Sequence, residues 1–134
     1  MIIIETLLKL FDRDLLRLEE EINLYQTEEA IWKLGGEIKN TAGNLCLHLC
    51  GNLQHYIGAK LGHTSYVRNR DNEFAAKGIS KADLLAEVQK TRQTVRPAVQ
   101  GHFRRVYIDR ALESAVLPGH SYHGLQNLRR WQGR

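Results

Sequence analysis

The chain has few residues of the kinds that staple, kink or export a protein. Its 134 residues include two cysteines, two prolines and one methionine. The cysteines, Cys46 and Cys50, lie four residues apart. Two thiols without an export signal exclude a disulfide scaffold and point to a reducing cytoplasm. The apolar start, Met1 to Ile4, meets an acid at Glu5 and has no basic stretch before it, so no secretory signal is expected. No run of about 18 apolar residues occurs, which leaves no candidate for a membrane-spanning helix. Alternating strand-like runs and internal repeats are also absent. So are the Gly-x-Ser-x-Gly elbow, the Walker loop, the Gly-x-Gly-x-x-Gly turn and Cys-x-x-Cys, which removes the commonest hydrolase, nucleotide and redox signatures.

What remains is an ordinary globular composition, 43% hydrophobic and 25% charged, which excludes a disordered chain, a collagen-like repeat and a coiled-coil rod. The length suits one domain spanning residues 1–134. The net charge of +4 sits at one end. Residues 1–100 carry 13 basic and 13 acidic side chains, whereas residues 101–134 carry six arginines, no lysine, and only Asp109 and Glu113 against them. A basic end fits nucleic acid or an acidic membrane surface. The plainer reading is a solvated Arg-rich end, so neither nucleic acid nor a membrane is expected as a partner.

The periodicity is helical. Ile4, Leu8, Phe11, Leu15, Leu18, Ile22 and Tyr25 recur at alternating steps of four and three, which predicts a helix over about 2–26 with one apolar stripe. At 1.5 Å per residue it is roughly 36 Å long and needs partners of similar length, as in a helical bundle. Gly35-Gly36 breaks the next stretch. A second helix is predicted over about 42–61, capped by Asn40 or Thr41, ended by Gly62, with Leu45, Leu49, Tyr56 and Ala59 on its core face. Residues 63–79 read as a loop, long enough to be functional or packed rather than a plain connector. Ser80 to Asp83 resembles a capping box and opens a third helix over about 81–100, with Leu84, Leu85, Val88, Val95 and Val99 apolar and Pro97 near its end. The three helices are expected to pack antiparallel. Residues 101–117 fit no single stripe, and a short helix is predicted over 121–131.

Six histidines are the conspicuous chemistry. His48, Asn52 and His55 align as a polar strip on the second helix, either core or rim histidines or metal ligands, since neutral imidazole suits transition metals. His120 and His123 are three apart and would join His48 in an open three-nitrogen site that activates water or a thiol. Cys46-Leu-His48-Leu-Cys50 imitates a metal box, but on a helix the cysteines share a side and His48 points about 200° away. The cysteines are therefore read as small apolar packers. In the loop, Tyr66, Arg68, Arg70 and Asp71 would either bind an anionic substrate through guanidinium forks or, more simply, pin the loop as an internal Arg–Asp network.

The run from Asn44 to Gly58, NLCLHLCGNLQHYIG, followed by YVRNRDNEF from Tyr66 to Phe74, resembles the DinB-like superfamily of YfiT-like metalloenzymes, in one of its domain-of-unknown-function branches. The likeness covers roughly residues 5–100. It implies an up-down-down-up four-helix bundle, commonly a homodimer, whose divalent ion, zinc or nickel, is held by one histidine of the second helix and two of the last. Carried onto this chain, the metal ligands are His48, His120 and His123, the latter pair from Gly119-His-Ser-Tyr-His-Gly-Leu-Gln126 with one residue fewer between the histidines than the family pattern has. His55 has no family role. The resemblance also implies a hydrolase or a thiol-dependent transferase acting on a small molecule, with a low-molecular-weight thiol as a possible co-substrate. The alternative is a catalytically silent bundle that serves dimerisation or interaction with a degraded metal site. The fourth element is expected to be shortened or irregular, because residues 101–134 resemble the family only around the two histidines. The abrupt loss of periodicity and likeness after residue 100 fits a local change of reading frame, and the coding sequence read in a shifted frame should then restore a family-like ending.

Overall fold

In a computed structural model of the chain, residues 2–116 are described, with side chains through residue 111. The expected helix over 121–131, with His120 and His123 beside it, lies outside them. The described residues contain helices and no strand, so this part of the chain is all-α. The chain divides into two units, Met1–Val99 and Gln100–Arg134.

The first unit is built on three long helices. Helix α1, Ile2–Leu24, buries Leu8, Leu15 and Ile22 and half-buries Ile4, Phe11, Leu18 and Tyr25, which is the predicted stripe. A single turn, α2 (Glu28–Ile31), follows, where Thr27 caps the start by accepting from the Ala30 N–H at 3.2 Å and Ile31 is fully buried. Helix α3, Ala42–Leu53, is capped by Thr41, whose hydroxyl accepts from the Asn44 N–H at 3.1 Å. It does not end there but widens into a π-helical segment, Gln54–Leu61, closed by the Gly62 N–H on the Ile57 carbonyl at 2.9 Å. The left-handed residue after it is His63, with φ 56°, rather than Gly62, which has φ −90°. A short helix, α4 (Arg70–Ala75), interrupts the expected loop. Helix α5, Lys81–Val116, starts as predicted, with the Asp83 N–H donating to Ser80 Oγ at 3.1 Å.

Helix α5 overruns the expected end near residue 100. Pro97 has no N–H to offer the Gln93 carbonyl, but its ring lies on an exposed face, and the helix absorbs it. Beyond Gly101 the segment through Val116 contains arginine, alanine, leucine and glutamate, all good helix formers, with no further proline. Weak amphipathicity removed the stripe that pattern reading needs without removing the propensity that holds a helix.

Contacts fix the helix directions. Glu19 pairs with Arg92 at 3.4 Å, Asp12 with Arg96, and the Tyr25 carbonyl accepts from Lys81 Nζ at 2.5 Å, so α1 and α5 are antiparallel. Gln54 meets Glu87 and Thr91, Gly58 meets Thr94, and Gly62 meets Ala98, so α3 and α5 are parallel. The order of the three is up, down, down, which corrects the expectation that all three pack antiparallel.

The core face of α3 is also not the predicted one. Leu45, Leu49 and Tyr56 are 43%, 47% and 54% exposed, whereas Cys46 and Cys50 are fully buried with Leu15, Ile22, Ile31, Leu84 and Val88. The face turned to α5 is made of small or polar residues at a four-residue step: Cys46, Cys50, Gln54, Gly58 and Gly62. On a regular α-helix such a row drifts by about 40° per step and would leave the interface. A π-helix turns less per residue, so the drift stops where the widened segment begins. Gly62 is required for space, since a Cβ there would lie 2.5 Å from the Ala98 Cβ. Leu84→Ala should therefore cost about 2–5 kcal/mol in urea unfolding. Leu45→Ala should cost under about 1 kcal/mol, the reverse of what a leucine core face on α3 would give.

Candidate functional site

Parallel neighbours oblige the connection from 62 to 80 to travel back along α3, and it is fastened at each step. The Thr64 N–H donates to the Gly58 carbonyl at 3.1 Å. The Tyr66 hydroxyl lies over Gly51. Asn44 Nδ2 donates to the Glu73 and Ala76 carbonyls at 2.9 and 2.8 Å, and Trp32 Nε1 to the Ile79 carbonyl at 3.1 Å. Asn69 caps α4 by accepting from the Asn72 N–H at 3.1 Å, which sets the one turn that carries Glu73 inward.

The Glu73 side chain is only 7% exposed and sits between Arg68 and His48. Arg68 grips it as a fork, Nε to Oε1 at 2.7 Å and Nη2 to Oε2 at 3.0 Å. His48 Nδ1 is 2.9 Å from Oε2. Arg68 Nη2 also comes within 3.2 Å of His48 Nδ1. A guanidinium can only donate and a carboxylate can only accept, so one ring nitrogen cannot serve both. The shorter, charge-assisted contact decides: Nδ1 carries the proton and gives it to Glu73. His48 Nε2 then keeps its lone pair, and no partner for it occurs among the described residues. The ring stacks on Phe74 at 4.9 Å between centroids, with the Arg70 guanidinium 5.7 Å from the same ring.

Burial pushes the Glu73 carboxyl up, and the hydrogen bonds and charge of Arg68 and His48 outweigh it, holding the group below the usual carboxylate range. Tyr66 is pushed up, first by burial and then by the carboxylates of Glu87 and Glu73. The Cys46 thiol is pushed up by its hydrogen bond with Cys50 and by burial, which keeps it protonated and inert. The cysteines are packers, as the helical geometry required.

Of the predicted ligands, the structure places His48 on the half-buried flank of α3 and tethers it. His120 and His123 lie outside the described residues. His55 stands against Tyr56, with ring centroids 4.8 Å apart, and Asn52 is half-buried. The loop network exists, but Asp71 is exposed and the acid that pins Arg68 is Glu73, which sequence reading passed over. Its signal was the arginine five residues before it in a loop long enough to fold back. Among the described residues no three His, Cys, Asp or Glu side chains converge to hold a metal, so this part of the chain contributes one ligand with a carboxylate behind it and not a whole site.

Because Glu73 titrates lower in the folded chain than in the unfolded one, its contribution to stability is complete above the ordinary carboxylate pKa of about 4.3. It is lost as pH falls through the depressed folded value. Glu73→Gln should flatten that acid limb of the unfolding curve while lowering stability near neutrality. Comparison with protein-family models, with curated proteins and with solved structures finds no match for this chain.

Proposed function

We propose that the chain is a DinB-like, divalent-metal-dependent hydrolase or thiol-dependent transferase in which His48 is the anchoring metal ligand. One observation carries the reading. Glu73 takes the Nδ1 proton of His48, which leaves Nε2 as the electron-pair donor and fixes the ring. Metal-binding histidines are oriented by such a carboxylate, which also raises ligand basicity. Arg68 holds that carboxylate in turn. The remaining ligands fall to His120 and His123 by the resemblance. A bound zinc or nickel ion would supply a Lewis acid for activating water or a thiol. The chain's own contribution at the described part is to hold the Nδ1 proton on His48 and to keep the imidazole against Phe74.

The homodimer belongs to the same reading, since α3 turns Leu45, Leu49 and Tyr56 outward on the flank next to His48. A silent interaction module is the second reading, and it is favoured by the lack of a three-donor cluster among the described residues. Elemental analysis of purified protein separates the two. The metal reading expects near-stoichiometric zinc or nickel, abolished by His48→Ala and only weakened by His55→Ala. Metal-free protein after zinc and nickel addition, or His48→Ala with unchanged content, gives the silent module its place.

A further inference from the structure

We propose that Gly51 is a positioning residue: its missing side chain is the notch that seats the Glu73 carboxylate against α3, and through Glu73 it sets which nitrogen of His48 carries the proton. The inference deepens the reading of His48 above, but its test needs no metal.

The reason for glycine here is space. Gly51 is buried in mid-helix and takes no left-handed backbone conformation, unlike Gly36 and Gly78. A Cβ at Gly51 would lie 2.1 Å from Glu73 Oε1, 2.8 Å from its Cδ and 3.4 Å from the Tyr66 hydroxyl. The last is an ordinary contact. The first two are not, and the only group in the way is the carboxylate. Nothing from α1 or α5 is within reach of that point, so the notch serves the returning connection and not helix packing.

The carboxylate has nowhere to retreat. Arg68 holds both of its oxygens, and its backbone is tied down by Asn44 on the Glu73 and Ala76 carbonyls. To reach an ordinary 3.4 Å from a methyl at position 51, Oε1 must move by at least the difference from 2.1 Å, about a hydrogen-bond tolerance or more. Oε2, rigidly joined to it, leaves the 2.9 Å contact with His48 Nδ1. The imidazole is then released to the Nε2–H form that neutral histidine favours in water, which has no lone pair on Nε2.

The test uses the full chain and four forms: native, Gly51→Ala, Glu73→Ala, and the double variant. Nitrogen NMR of the imidazoles reads the His48 tautomer, and thermal unfolding reads stability. The native protein should show His48 protonated at Nδ1. Gly51→Ala should shift it toward Nε2–H, as Glu73→Ala does. With the carboxylate gone, the methyl has room, so the Tm loss from Gly51→Ala should be about threefold smaller or less in the Glu73→Ala background. If Gly51→Ala does not fold but the double variant does, the notch is equally supported. An equal Tm loss in both backgrounds, failure of both Gly51→Ala forms to fold, or a folded Gly51→Ala that keeps the Nδ1 proton would each overturn the proposal. Loss of metal binding with the tautomer intact would count against the metal reading alone.

Discussion

Two neighbouring helices that run the same way must be joined by a chain that retraces the length of one of them. For α3 and its π-helical extension that path is about 30 Å, and it accounts for most of what is unusual in the first unit. A connection this long would cost conformational entropy without return if it were left loose. Here Asn44, Gly51, Gly58 and His48 each present something to it: an amide, two absent side chains and an imidazole. The connection is in effect another layer of the bundle, and α4 exists because one helical turn is the shortest way to bring Glu73 beneath Arg68 and against His48.

The buried acid makes this arrangement demanding. A carboxylate shut away from water is tolerated only when its charge and its lone pairs are matched. Arg68 supplies the charge and two hydrogen bonds, and His48 supplies a third. Remove either partner and the other is left buried with unmet capacity. The arrangement therefore links the path of the chain to the protonation of one ring, so that a packing requirement and a chemical one are met by the same atoms.

Much of this was legible in the residues, and the rest was hidden for identifiable reasons. The α1 stripe, the Thr41 and Ser80 caps and the inert cysteines follow from local rules that act within one or two turns. The face of α3 was misread because leucine is a stronger hydrophobic signal than glycine or cysteine. Close parallel packing against α5 selects small residues, and Leu45 and Leu49 are left outside. Glu73 was passed over in favour of Asp71 because nothing local distinguishes the two acids. What distinguishes them is a single turn of helix whose orientation depends on Asn44, 29 residues earlier. The extension of α5 past Gly101 was missed because helicity there rests on propensity rather than on pattern. His48 was recognised as the exceptional histidine from its place on the helix, while the carboxylate that gives it a defined tautomer was not.

The π-helical segment has a consequence for how the chain can change its length. A π turn holds one more residue than the α turn it replaces, so Gln54–Leu61 acts as an insertion stored inside a helix. Loss of a residue there would let the segment relax to α geometry without breaking the helix. It would also swing everything after it by about 100°, carrying Gly62 off Ala98 and presenting a bulkier neighbour to α5. Insertions and deletions are usually tolerated in loops and resisted in helices. In this chain the exposed turn around Gly35-Gly36 is open to them, and the end of α3 is the place where a single residue gained or lost changes the register between two helices.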